Sequence, residues 1–118
     1  MILVPKKSLS QNFLLNKKII KNIVDLGEIS NESIIIEIGP GTGNLTSYIL
    51  KKKPKKMIII EKDNVLATNL ENKFNNQLTI INDDVLNVDE TILFEEKVIV
   101  FGNLPYNIST EILSKWII

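Results

Sequence analysis

Cysteine and histidine are both missing from this 118-residue chain. Their absence removes disulfides, thiolate nucleophiles, zinc sites built on nitrogen and sulfur ligands, and imidazole general bases. Arginine is missing too, so all 14 basic residues are Lys, and they are matched by 14 Asp and Glu. With a net charge of zero and a pI near 6.3, any nucleic-acid binding must come from local clusters rather than from a basic whole. No apolar run approaches the length of a membrane span, and "MILVPKK" places its charge after a very short apolar stretch, the reverse of a secretory signal. These features predict a cytoplasmic protein with no membrane partner.

What is present suits one modest globular domain, since 44% hydrophobic residues are enough to bury a core. Two lysine clusters stand out. Residues 1–24 carry Lys6, Lys7, Lys17, Lys18 and Lys21 with no carboxylate among them, and Lys51, Lys52, Lys53, Lys55 and Lys56 form a second run. The spacing of Leu15, Ile19, Ile20, Ile23 and Val24 predicts an amphipathic helix over 16–26, ended by Gly27. Its polar side is mostly lysine. The second lysine run follows Leu45, Tyr48 and Ile49, where it suits the negative end of a helix dipole.

Apolar runs at 34–38, 57–60, 78–81 and 98–101 predict four strands, with a helix between the second and third carrying Leu66, Leu70 and Phe74. Strands alternating with helices imply a doubly wound α/β fold with a parallel sheet, in which ligands sit at the carboxyl ends of the strands. The unusual residues of this chain all fall there. They are Gly39 to Gly43, Glu61, Asp83 with Asp84, and Asn103 to Tyr106.

"EIGPGTG" runs from strand into helix, and Gly39, Gly41 and Gly43 let the backbone turn tightly and approach a ligand. The spacing is G-x-G-x-G. It is neither the dinucleotide pattern G-x-G-x-x-G nor a P-loop, so a nucleoside without a pyrophosphate fits better. Glu61, 22 positions after Gly39 at a strand end, is placed to accept both hydroxyls of a ribose. Asp84, at the next strand end, is placed to accept from an adenine amino group. S-adenosyl-L-methionine combines adenosine with a cationic tail and is the expected cofactor. Glu37 reads either as a neighbour of that ligand or as a plain strand-end charge.

"FGNLPYNIST" closes the set. A planar exocyclic amine is a poor nucleophile because its lone pair is delocalised into the ring, and two acceptors on its N–H groups can aim that lone pair at a methyl. Asn103 offers a side-chain oxygen, and a rigid turn at Pro105 can aim the Leu104 carbonyl at the same nitrogen. Tyr106 can stack on the base. A sulfonium is already an activated methyl donor, so alignment and charge placement can carry the catalysis.

Taken together, "SQNFLLN", "EIGPGTGNLT", "IEKD", "NDDVL" and "GNLPYNIST" resemble, in order, the motifs of the ribosomal RNA adenine N6-dimethyltransferases. The resemblance implies a Rossmann-like, S-adenosylmethionine-dependent methyltransferase that places two methyls on adenine, without a metal. It implies that Asn12, Leu14, Gly39, Gly41, Glu61, Asp84 and Asn103 contact the cofactor, and that Asn103, Leu104, Pro105 and Tyr106 form the catalytic set. "GPGTGNLT" and "NLPYNIST" resemble the housekeeping branch, which acts on two adjacent adenines near the 3′ end of small-subunit (16S) rRNA during ribosome biogenesis. Ser10 matches instead the branch that acts on the large subunit. Under the first reading the partner is rRNA in a pre-ribosomal particle, the protein is a monomer, and Lys6, Lys7, Lys17, Lys18 and Lys21 face the RNA. The same lysines also read as a solvated face.

Two other classes stay open: an RNA-binding assembly module with a vestigial pocket, and a methyltransferase for DNA adenine or amide nitrogen built on a similar turn. For domain organisation, residues 1–30 read as an N-terminal segment with a basic helix, and 31–118 as the N-terminal part of the catalytic domain. In the family's strand order the strand at 98–101 lies inside the sheet, so a chain ending at Ile118 would leave its apolar edge bare. The expectation is therefore a chain truncated after its fourth strand, lacking a C-terminal helical domain and weak or inactive alone.

Overall fold

The computed structural model describes residues 2–5, 17–89, 91 and 98–104. Its centre is two β-branched runs. β2 (Ile34–Ile38) and β3 (Lys56–Ile60) pair in parallel, with Ile34 beside Lys56 and Ile38 beside Ile60. Every residue of β2 is buried, as expected of a parallel strand covered on both faces. β4 (Thr79–Ile81) flanks β3, and β5 (Val98–Leu104) flanks β2, both in parallel.

Side chains alternate across a strand, so the core divides into two layers. On one face Ile35, Met57, Ile59 and Phe101 pack with Ile20 and Val24 of α1 (Lys17–Leu26), Leu45 and Ile49 of α2 (Asn44–Lys51), and Leu70 and Phe74 of α3 (Asn64–Phe74). On the other, Ile36, Ile38, Ile58, Ile60 and Val100 meet Val85 and Val88. Among the described residues all three α-helices lie on the first face, and a 3-10 turn at Val85–Asn87 helps to cover the second.

The helix expected at 16–26 is α1, with Ile20 and Val24 inward and Lys17, Lys18 and Lys21 exposed. α2 ends at the second lysine run as expected, where Lys52 caps it. Lys52 Nζ also lies 2.9 Å from Asp25 Oδ1 and ties the end of α2 to the end of α1. Lys51 sits 4.7 Å from the centre of the Tyr48 ring. Among the described residues no helix is long and apolar enough to cross a membrane.

Two expectations need correcting. The sheet has five strands, because β1 (Ile2–Pro5) pairs in parallel with β5 and gives the order β1-β5-β2-β3-β4. A four-residue run at the terminus carries no periodicity of its own, and its pairing is settled by a partner nearly a hundred residues away. The β5 edge expected to be bare is therefore paired within this chain. β5 also runs through Gly102 to Leu104 instead of stopping at Phe101, since Val4 and Pro5 extend the ladder opposite Asn103 and Leu104. Pro5, with no N–H to give, sits on an edge strand, where proline is tolerated.

Candidate active site

Because every pair in the sheet is parallel, the carboxyl ends of the strands share one edge. Two backbone bonds carry the ladder one residue past the strands. Gly39 N–H donates to the Ile60 carbonyl at 3.0 Å, and Glu61 N–H donates to the Ile81 carbonyl at 3.0 Å. The glycine loop, Glu61 and the Asn82 to Asp84 turn are thus held side by side.

The loop leaves β2 through three glycines in the left-handed region, at φ of 64°, 63° and 89° for Gly39, Gly41 and Gly43. Two of them differ in what a side chain would meet. A Cβ on Gly43 would lie 2.8 Å from Phe74 Cε2 and 3.0 Å from Leu70 Cδ2, so this glycine lets α3 close against the start of α2. A Cβ on Gly41 would meet none of the described residues within 4 Å. Among the described residues nothing stands in front of Gly41 to contest a ligand's approach. Lys73 of α3 reaches back and donates to the Thr42 carbonyl at 3.2 Å, a bond that pins the loop from the side.

Glu61 is only 6% exposed. Its Oε2 accepts the Asp63 N–H at 3.0 Å, while Asp63 Oδ1 accepts from Leu66 N at 2.9 Å and caps α3. Asn82 Nδ2 donates to the Glu61 carbonyl at 2.9 Å and fixes the backbone beneath that carboxylate. Asp84 Oδ1 accepts from Leu86 N at 3.0 Å at the head of the 3-10 turn, leaving the residue half-buried at the sheet edge. Asp83 Oδ1 turns instead to its neighbours in the turn, accepting from the Asp84 backbone N–H at 2.7 Å and from the Asn87 side-chain Nδ2 at 3.2 Å.

Glu37 is the residue whose place the sequence left open. It lies in register with Ile59 and Phe101, so it points into the face covered by helices, and it is 2% exposed. Thr46 Oγ1, itself fully buried in the first turn of α2, donates to Glu37 Oε1 at 2.5 Å. Burial pushes the Glu37 carboxyl up from 4.5 to about 7; the Thr46 hydroxyl pulls it the other way, and the nearby Glu61 charge raises it further. Among the described residues no lysine lies within ion-pair distance of Glu37 or Glu61. Two buried carboxyls without a cation beside them favour a ligand that carries positive charge.

Of the residues expected at the site, Gly39, Gly41, Glu61 and Asp84 meet along this edge. Asn103 and Leu104 reach the same edge by their backbone at the end of β5, two strands from Glu61. Asn12, Leu14, Lys6, Lys7, Pro105 and Tyr106 lie outside the described residues. The sequence reading missed the Glu37–Thr46 pair, the Asn82 brace and the Lys73 strut. One signal was available: a lone carboxylate inside "IIIEI" must find a partner or give up its charge.

The profile of a family described as "Ribosomal RNA adenine dimethylase" matches residues 3–118. A protein of Pelagibacter ubique called "Ribosomal RNA small subunit methyltransferase A" is 56% identical over 118 residues, covering all of this chain and 45% of that protein. A protein of the same name from Sulfurihydrogenibium is 46% identical over 110 residues, 90% of this chain and 43% of its own length. The chain thus spans rather less than half the length of these curated relatives. Among solved structures, the 23S rRNA methyltransferase ErmE superposes with a TM-score of 0.73 at 28% identity, over 89% of this chain and 42% of that one. A dimethyladenosine transferase from Plasmodium falciparum gives 0.72 at 29% identity, over 85% and 36%. With the family profile running almost end to end and the glycine loop, Glu61, Asp84 and Asn103 gathered at one sheet edge, this chain belongs to the ribosomal RNA adenine dimethylase family.

Proposed function

We propose that this chain carries the cofactor-binding part of an S-adenosylmethionine-dependent enzyme that dimethylates two adjacent adenines near the 3′ end of small-subunit rRNA. The observation that carries the reading is the shared edge on which an open glycine loop, buried Glu61 and half-buried Asp84 stand beside the end of β5. The described residues suit this cofactor: none of them would meet a Cβ at Gly41 within 4 Å, and none places a cation within ion-pair distance of the two buried carboxyls.

When bound, S-adenosylmethionine supplies a methyl already activated on a sulfonium. In this reading Glu61 accepts from ribose hydroxyls and Asp84 from the adenine amino group, with Asn12 and Leu14 closing on the cofactor from the N-terminal segment. The Asn103 side-chain oxygen and the Leu104 carbonyl accept from the target amine, Pro105 stiffens that exit, and Tyr106 stacks on the target base. Orientation of the amine is then the main work left to the protein. Lys6, Lys7, Lys17, Lys18 and Lys21 neutralise rRNA phosphates in a pre-ribosomal particle. Lys17, Lys18 and Lys21 are exposed along α1, which supports this role.

A second reading, a large-subunit enzyme, draws on the fit to ErmE. The relatives at 56% and 46% identity bear the small-subunit name and favour the first. Offering the whole protein encoded by this gene under-methylated small and large subunits with labelled cofactor separates the two. Dimethyladenosine in the small subunit alone supports the proposal, and label in the large subunit alone supports the second reading.

A further inference from the structure

Glu37 is used by none of the roles above, yet it is the most deeply buried carboxyl among the described residues and it lies directly beneath the glycine loop. We propose that Glu37 is a positioning residue that gives up its proton to solvent when a cationic ligand occupies the site, so that the Thr46–Glu37 bond joins ligand binding to the seating of the first turn of α2. This rests on the reading of the site as one for S-adenosylmethionine.

Geometry supplies the first support. Glu37 stands two residues before Gly39, and Thr46 stands three after Gly43, so their 2.5 Å bond spans the foot of the loop from strand to helix. The groups facing Glu37 supply the second. Its neighbours across the sheet, Ile59 on β3 and Phe101 on β5, are uncharged. α2 offers the Thr46 hydroxyl, the end of β3 offers the Glu61 carboxylate, and Lys73 of α3 is turned to the Thr42 carbonyl. Among the described residues, therefore, one like charge and one hydroxyl face a carboxyl that is 2% exposed, and a proton is the cheapest compensation. A ligand cation replaces that compensation: the carboxylic O–H breaks, the proton passes to buffer, and the carboxylate is a stronger acceptor for Thr46.

The two forms of the cofactor differ in the needed property, since S-adenosylmethionine is a sulfonium cation at sulfur, whereas its demethylated product, S-adenosylhomocysteine, is a neutral thioether there. Titration calorimetry of the whole protein, in buffers of contrasting ionisation enthalpy, reads the proton count directly. At pH 7, near the midpoint of Glu37, S-adenosylmethionine is expected to release roughly half a proton. S-adenosylhomocysteine should release less, and Glu37→Gln should abolish the release. Thr46→Val, a smaller change that keeps the carboxyl, should move the pH of maximal release upward. Binding without proton exchange, or the same exchange in Glu37→Gln, would overturn the inference while leaving the cofactor reading intact. Failure of S-adenosylmethionine to bind at all would instead overturn the cofactor reading and this inference with it.

Discussion

Thr46 donates its hydroxyl to Glu37 at 2.5 Å, and neither residue is more than 2% exposed. The bond fastens α2 to β2 immediately under the glycine loop, at the point where a strand must become a helix within five residues. A buried carboxyl at that joint makes the stability of the fold depend on pH.

Glu37→Gln is expected to remove that dependence. The folded protein holds the Glu37 proton up to about pH 7, whereas the exposed group has its ordinary value of 4.5, so between those values the folded state binds more protons than the unfolded. Stability therefore falls as pH rises through that window and levels off above it, with a total of about 3 kcal/mol. Glutamine keeps an acceptor for Thr46 and has no charge to bury. Urea unfolding at pH 5 and pH 8 should show the wild type losing stability and the variant holding nearly constant.

Thr46→Val should behave in the opposite way. It leaves a buried carboxyl without its hydroxyl donor, at a cost of about 1–3 kcal/mol. The loss should be larger at pH 8 than at pH 5, because the charged form loses more than the neutral one. The same unfolding series checks it.

The glycine loop predicts two unequal substitutions. At Gly43 a methyl would crowd Phe74 Cε2 at 2.8 Å in a backbone at φ 89°, so Gly43→Ala should cost about 3 kcal/mol from overpacking and left-handed strain together. At Gly41 no described residue would be crowded, so the strain sets the cost and Gly41→Ala should lose about 1 kcal/mol. Gly41→Ala should nevertheless weaken cofactor binding, since its Cβ enters the open space in front of the loop. Denaturation midpoints and a binding titration separate the two effects.

For the lysines, the fold distinguishes the two clusters. Lys52 is engaged with Asp25 at 2.9 Å, and Lys17, Lys18 and Lys21 lie exposed along α1, the helix whose polar side is lysine-rich. Changing those three to Gln should weaken rRNA binding and flatten the plot of log affinity against log salt by about two. Lys52→Gln should leave that slope unchanged, since its charge serves an ion pair between helices.

Much of this arrangement was legible from residue patterns, for reasons that are local. Ile34–Ile38 and Lys56–Ile60 are runs of β-branched residues long enough to announce buried strands, and the turn after the first needs glycines that the sequence displays. Ile20 and Val24 show helical spacing against lysines. β1 was not legible, because four apolar residues at a terminus specify no partner, and the extra length of β5 follows only once β1 is paired. Asp84 lies three residues past the end of β4, and one of its oxygens is engaged in capping the next turn, which its position alone does not reveal. Glu37 was visible as an oddity in an isoleucine strand. Its partner Thr46 could be identified only from how α2 packs over β2.

In the proposed reaction Asn103, at the end of β5, holds the target amine, and replacing its side chain isolates that role. Wild-type protein and Asn103→Ala, each as the whole protein encoded by the gene, are incubated with S-adenosylmethionine and under-methylated small subunits, and dimethyladenosine is quantified in the recovered rRNA. The wild type should dimethylate the rRNA, and the variant should lose at least a hundredfold, about 3 kcal/mol of lost orientation, with rRNA binding retained. Absence of dimethyladenosine with the wild type, or undiminished product with Asn103→Ala, would contradict the proposed reaction.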